Sequence, residues 1–149
     1  MTDESLDWAY LAGLVDGEGC ITINHNKSER YYSGLLTIGM VDEDIVRWCH
    51  KFTGFGCIYK HTGKGNCQDS FIWTVRTRQA AVVLEKLLPY LRVKKLQALI
   101  VLELQKHIYQ NRPGYRRPLS SEELAYRHSL YLKIRSLHTK GVKICQMIP

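Results

Sequence analysis

Trp8-Ala-Tyr-Leu-Ala-Gly-Leu-Val-Asp-Gly-Glu-Gly-Cys20 decides how the rest of the chain is read. Taken as a helix, it sets Ala9, Ala12, Gly13, Asp16 and Gly17 on one face, at i, i+3, i+4, i+7 and i+8. All of these except Asp16 are Ala or Gly, while Leu11, Leu14 and Val15 form a bulky face suited to a core. The bulky side meets its own domain; the small side lets another backbone come close, as small-xxx-small stripes do. Each glycine inside a helix costs about 1 kcal/mol relative to Ala, and close packing against a second, similar helix would offset that.

The acidic residues stand at the unfavourable end. Asp16 falls in the last turn and Glu18 just past it, where the unpaired carbonyls and the macrodipole are already negative. A divalent cation would make a site of this, taking hard oxygen ligands from a carboxylate and a backbone carbonyl. The residues alone leave a second reading open, in which Asp16 and Glu18 only begin a polar turn before a strand.

Outward from this stretch, the chain alternates. Ser5 or Asp7 caps the first helix, expected to reach about Asp16, with Gly17 and Gly19 breaking it. Cys20 to Asn24 and Gly34 to Met40 read as strands, joined by a long polar tip from His25 to Tyr32. Asp42-Glu-Asp44 opens a second helix that carries Ile45, Trp48 and Phe52 inward. Phe55 to His61 and Ser70 to Arg76 form a second hairpin, in which Phe71, Trp73 and Val75 alternate with Ile72, Thr74 and Arg76. Gln79 to Leu88 has helical spacing and ends before Pro89. Further helices follow from about Lys94 to Tyr109 and, opened by Ser120 or Ser121 with Glu122 or Glu123 behind, to about His138. The order is α-β-β-α-β-β-α-α-α, an α+β chain read as one domain over 1–149, with its core at about 8–105 and a C-terminal helical extension at about 119–138.

The 149 residues carry a formal net charge of +7 and a pI near 9.2. That balance favours an anionic partner, nucleic acid before a membrane surface. No apolar run is long enough to span a bilayer, and the N-terminus Met-Thr-Asp-Glu-Ser is acidic, unlike a targeting peptide. The expectation is a soluble intracellular protein that is not secreted. Five cysteines (Cys20, Cys49, Cys57, Cys67, Cys145) are odd in number and widely spaced, which argues for free thiols. Cys57 and His61 have no second close pair to complete a metal site.

Leu11-Ala-Gly-Leu-Val-Asp-Gly-Glu-Gly19 resembles the defining motif of the LAGLIDADG homing endonucleases, with Val15 for the usual Ile, Gly17 for Ala and Glu18 for the final Asp. The resemblance covers roughly Trp8 to Gln105 and the motif occurs once. It implies an αββαββα fold with a four-stranded antiparallel, saddle-shaped sheet and helices on its convex face. It also implies a homodimer whose motif helices pack through Ala9, Ala12, Gly13, Asp16 and Gly17. The implied activity is site-specific cleavage of double-stranded DNA at a long near-palindrome, leaving short 3′ overhangs. The setting would be a mobile intron in a prokaryotic cytoplasm or an organelle. The metal would be Mg²⁺ or Mn²⁺, held by Glu18 and the Gly17 carbonyl; Ca²⁺ could occupy the site without supporting cleavage. Lys94 matches the family's basic residue after a Pro-aromatic-Leu segment, here Pro89-Tyr-Leu91, and Lys95 is its neighbour in register. Asp42 matches a polar residue at the start of the second helix, placed near the metal solvent, although as an N-cap it is already accounted for. Val46 departs from relatives that have a basic residue there. A relative of this kind that has lost cleavage would instead be an RNA maturase or a DNA-binding regulator; the presence of Glu18 speaks against that.

A two-stranded ribbon fits the major groove of B-DNA, so DNA contact is expected from the hairpins. The first offers Thr22, Asn24, Asn26, Lys27, Ser28, Arg30 and Tyr32; the second offers Lys60, Lys64, Gln68, Thr74, Arg76 and Arg78. Arg pairs bidentately with guanine, and Asn or Gln with adenine. Arg116, Arg117, Lys140 and Lys143 would reach the phosphate backbone at most.

Overall fold

The computed structural model describes residues 2–28, 31–112 and 118–138. Its elements run α1 (Asp3–Glu18), β1 (Gly19–Asn26), β2 (Tyr31–Met40), α2 (Glu43–Thr53), β3 (Cys57–His61), β4 (Ser70–Arg76), α3 (Thr77–Leu87), α4 (Lys95–Gln110) and α5 (Ser121–Leu137). The four strands form one antiparallel sheet in the order β1-β2-β4-β3. Among the described residues no helix is long and apolar enough to cross a membrane.

The sheet has one covered face and one open face, set by the period of two along each strand. Ile21, Ile23, Tyr32, Leu36, Ile38, Trp73 and Val75 are buried toward the helices. There they meet Leu11, Ala12 and Val15 of α1, Val46 and Cys49 of α2, and Val83, Leu84 and Leu87 of α3. Ala98, Val101 and Leu104 of α4 and Leu130 and Ile134 of α5 complete that core. Trp73 is fully buried, and its indole N–H donates to the Phe55 carbonyl at 2.9 Å, which satisfies its one polar atom.

Several boundaries differ from those read in the sequence, each for a local reason. Thr2, not Ser5 or Asp7, caps α1: its hydroxyl accepts the Ser5 N–H, with Asp3 and Glu4 in the first turn. Gly17 does not break the helix, which continues through Glu18. Gly19 ends it in extended backbone while its N–H still donates to the Val15 carbonyl, and only glycine fits there, since a Cβ would stand 2.7 Å from that oxygen. The first hairpin has a short tip, because pairing continues to Asn26↔Tyr31 and leaves only residues 27–30 between the strands. β3 begins at Cys57, two residues later than expected, with the Phe55 carbonyl taken by Trp73. In α2 the fully buried side chains are Val46 and Cys49, while Ile45, Trp48 and Phe52 are half-buried. Trp48 stacks on Phe52 with centroids 5.1 Å apart, and Tyr10 of α1 meets Trp48 edge-on at 5.2 Å, joining α1 to α2.

α5 is part of the packed body. Ser120 accepts the Glu123 N–H at 3.2 Å as its N-cap. The Glu123 carboxylate turns instead to Arg127 and His107, at 2.7 and 2.9 Å, tying α5 to α4. On the hairpin side, the Tyr32 hydroxyl hydrogen-bonds His128 Nδ1 at 2.9 Å, and His25 stacks on Tyr32 with centroids 4.2 Å apart. α5 thus buttresses the underside of the first hairpin. Burial holds His25 below the ordinary imidazole range, with His128 and Lys27 adding to the effect.

Candidate active site and nucleic-acid face

The end of α1 joins the two features that matter, an exposed glycine-bearing stripe and a carboxylate. Gly13 and Gly17 are exposed, in line with Leu6 and Tyr10, which are 51% and 49% exposed. Nothing lies within 4 Å of where a Cβ would stand at either glycine. The chain itself therefore has no need of glycine at these two positions. Ala9 and Asp16 flank this stripe half-buried, but Ala12 is fully buried in the chain's own core and does not belong to it. A helix turns by about 100° per residue, so Ala12, one step from Gly13, looks inward beside Leu11 and Val15.

Glu18, the last residue of α1, is exposed and has no hydrogen-bond or salt partner among the described residues. It borders an open depression of about 410 Å³ lined by Gly39, Met40, Val41, Ser70 and Ile72. Asp16 plays a different part. Its carboxylate accepts the backbone N–H groups of Arg92, Val93 and Lys94 at 2.8, 3.2 and 3.0 Å. The carboxylate end of the motif therefore carries one free acid, Glu18, and one engaged acid.

Lys94 comes back to the same helix end. Its Nζ donates to the Val15 and Asp16 carbonyl oxygens, both at 2.8 Å, where a cation meets the negative end of the dipole. Its charge is felt at Cys20 on β1, whose thiol, though the residue is exposed to solvent, is partly desolvated by its neighbours and so raised, with Lys94 opposing the effect. Lys95 is exposed at the first position of α4. Asp42, one residue beyond Val41, is exposed and caps α2, its Oδ1 accepting the Ile45 N–H at 3.0 Å. Among the described residues no cluster of three His, Cys, Asp or Glu gathers within one chain. At this end of α1 a single copy supplies, among the described residues, one free carboxylate, Glu18, and the last turn of a helix. Cys57 and His61 are four residues apart on one strand, about 13 Å at the strand rise, too far to share an ion.

The register sorts the proposed DNA contacts. The row Cys20–Thr37–Thr74–Cys57 crosses the open face, so residues two apart from these share it. Asn24 and Arg76 lie there and are exposed; Thr22 is half-buried, and Thr74 is on that face but only 7% exposed, closed in on a central strand. Lys27 and Ser28 are exposed at the first tip, where Asn26 Oδ1 accepts from the Ser28 N–H and hydroxyl at 3.1 and 2.7 Å, holding the turn. Lys64 and Gln68 are exposed in the second tip, and Arg78 is exposed in the first turn of α3. The chain enters α3 through Thr77 at φ 53°, a left-handed conformation that costs a β-branched residue about 1–3 kcal/mol. Thr77 stands between the two exposed arginines, Arg76 and Arg78.

Two expected contacts are on the wrong side. Tyr32 shares the parity of Leu36 and Ile38, is 5% exposed, and is bonded to His128 beneath the sheet. Lys60 pairs across with Phe71 on the Trp73 side and holds Asp69 at 2.9 Å, an ion pair that keeps its ammonium up and the Asp69 carboxyl down. The open face instead presents Tyr31, Leu35, Tyr59, Ile72 and His61, none of them among the contacts expected from the sequence. Strict alternation from Ile38 back to Tyr32 would have found Tyr31. Arg30, Arg116, Arg117, Lys140, Lys143 and Cys145 lie outside the described residues.

Comparison with known proteins identifies the fold and the family. The DNA endonuclease I-CvuI of Chlorella vulgaris is 31% identical over 112 residues, covering 70% of this chain and 67% of the relative. The crystal structure of I-CvuI in complex with its target in the presence of calcium superposes with a TM-score of 0.73 at 28% identity, covering 94% of this chain and 86% of that one. The archaeal intron-encoded homing endonuclease I-Vdi141I, complexed with DNA, shares the fold at a TM-score of 0.73 and 17% identity, over 95% and 90% of the two chains. Residues 11–113 match the profile of the LAGLIDADG endonucleases. With one copy of the motif, on α1, the chain belongs to the LAGLIDADG endonuclease family.

Proposed function

We propose that two copies of this chain form a divalent-metal-dependent endonuclease that cuts both strands of a long, near-palindromic DNA site, leaving short 3′ overhangs. The observation that carries this reading is the end of α1: one unpartnered carboxylate, Glu18, next to a glycine stripe that nothing within the chain requires. A single carboxylate is half of a hard-cation site. Packing Gly13 and Gly17 against the same stripe of a second copy would bring the two Glu18 side chains together, and two carboxylates that close repel unless cations lie between them.

The residues fit such a cation. Glu18 and the Gly17 carbonyl would hold Mg²⁺ or Mn²⁺, which when bound activates water and neutralises phosphate charge. Ca²⁺ would occupy the site without supporting cleavage. For the relative I-CvuI, structures with DNA exist in the presence of calcium and, uncleaved, of magnesium. Around that centre the chain's own groups do the rest. The Lys94 ammonium, held at the helix end, meets the negative charge that develops on the phosphate. Asp42 orders the start of α2 beside the Glu18 depression. Asn24, Arg76, Lys27, Ser28, Lys64, Gln68 and Arg78 face the duplex, and Asn26 offers its amide nitrogen while its oxygen holds the tip.

A chain of 149 residues has a radius of gyration of about 15 Å and a width of about 40 Å. At about 3.4 Å per base pair, one copy covers about 10–12 pairs and two cover about 20–24. The test is selection of cleaved duplexes from a randomised library in Mg²⁺, with both strand ends mapped. The expected product is a near-palindrome of that length cut on both strands about its centre. Specific binding with no strand scission would favour the cleavage-inactive reading instead.

A further inference from the structure

Asp16 belongs to the same motif as Glu18 yet points elsewhere. Oδ2 accepts the Arg92 N–H at 2.8 Å, and Oδ1 accepts those of Val93 at 3.2 Å and Lys94 at 3.0 Å. Three successive amides of the segment before α4 thus converge on one carboxylate, a nest for an anion. The return contact comes from the third of these residues: Lys94 Nζ donates to Val15 O and Asp16 O, both at 2.8 Å. Five hydrogen bonds close a loop between two segments 76 to 79 residues apart in the chain.

We propose that Asp16 is a positioning residue for Lys94. By fixing the backbone at 92–94 it fixes where the Lys94 stem begins, and the ammonium is then held on the last-turn carbonyls of α1, two residues from Glu18. An ammonium has three donors; two are occupied by carbonyls, which leaves the third for a phosphate oxygen. A lysine on a free stem would have to be ordered in each catalytic event, whereas this one is ordered beforehand. The proposal rests on the reading of Lys94 as the group that meets phosphate charge. A purely architectural role for Asp16, joining the 92–94 segment to α1 with no consequence for Lys94, gives a different result in a double-mutant cycle.

The measurement is single-turnover cleavage in Mg²⁺ of one selected duplex at saturating protein, with affinity titrated separately in Ca²⁺. The proteins are wild type, Asp16→Asn, Lys94→Met and the double variant. Asp16→Asn should slow cleavage by about 10-fold to 10²-fold, less than the about 10²-fold to 10³-fold that outright loss of one aimed donor costs, with affinity changed by no more than about twofold. In the Lys94→Met background the same substitution should change the rate by no more than about twofold, because the group it positions is gone. Lys95→Met serves as the control, and its effect should multiply with that of Asp16→Asn. Asp16→Glu keeps both acceptor oxygens and should fold and cut faster than Asp16→Asn. Rate losses that multiply between Asp16→Asn and Lys94→Met, or an Asp16→Glu variant as slow as Asp16→Asn, overturn the positioning role alone. A Lys94→Met variant that cuts at the wild-type rate overturns the reading of Lys94 and the positioning role with it.

Discussion

Replacing Gly34 by Ala will push α4 off the sheet. Gly34 sits on the covered side of β2, and a Cβ there would stand 2.4 Å from Val101 Cγ1 and 3.2 Å from Gln105 Nε2. Ordinary contact begins at 3.4 Å, so Val101 must retreat by about 1 Å. It cannot do so cheaply, because valine in a helix has one strongly preferred rotamer. Overpacking of this kind costs about 1–3 kcal/mol. The smaller conformational freedom of an unfolded Ala returns about 0.4–1 kcal/mol. The net expectation is a loss of about 1–2 kcal/mol, and a melting temperature lower by about 2–8 °C for a chain of this size. Thermal unfolding followed by circular dichroism measures it. The partner variant, Val101→Ala, removes the clashing methyl, so Gly34→Ala should be less harmful in that background by about 1 kcal/mol. A Gly34→Ala protein that melts higher than wild type, or losses that simply add, would refute the close approach of α4 to β2.

Two further variants test the faces assigned here. Tyr32→Phe should lower stability by about 1 kcal/mol, through loss of its bond to His128, while leaving affinity for a selected duplex within about twofold; an affinity loss without a shift in melting would return Tyr32 to the DNA face. Gly13→Leu meets open space within the chain, so the fold should survive and the helix gain about 1 kcal/mol in propensity. The same side chain should separate the paired motif helices and abolish cleavage; sedimentation showing an intact dimer would sink the stripe as the interface.

The elements whose evidence is local were legible in the sequence. Asp42 reads as a cap and is one, and Ser70 to Arg76 alternates as a strand and is one. What escaped was set by contacts distant in the chain. Asp16 reads as one of a pair of acids, and only folding brings the 92–94 amides to it. Ala12 falls at the edge of the outer face by helical spacing, yet it is fully buried in the chain's own core. Tyr32 and Lys60 failed on parity: a polar or aromatic residue near a tip looks available until the strand is extended to it and the period of two is counted. Gly34 looks like any strand glycine, and only Val101 and Gln105 explain it.

The central claim is that the Glu18 carboxylate makes this fold a nuclease. It is tested most directly by comparing wild type and Glu18→Gln in Mg²⁺ on the same selected duplex, with cleavage and binding measured side by side. The substitution removes a charge and keeps the shape of an exposed side chain with no partner in the chain. The account predicts that Glu18→Gln binds the duplex as wild type does and cuts neither strand. A Glu18→Gln protein that cuts at the wild-type rate would contradict it.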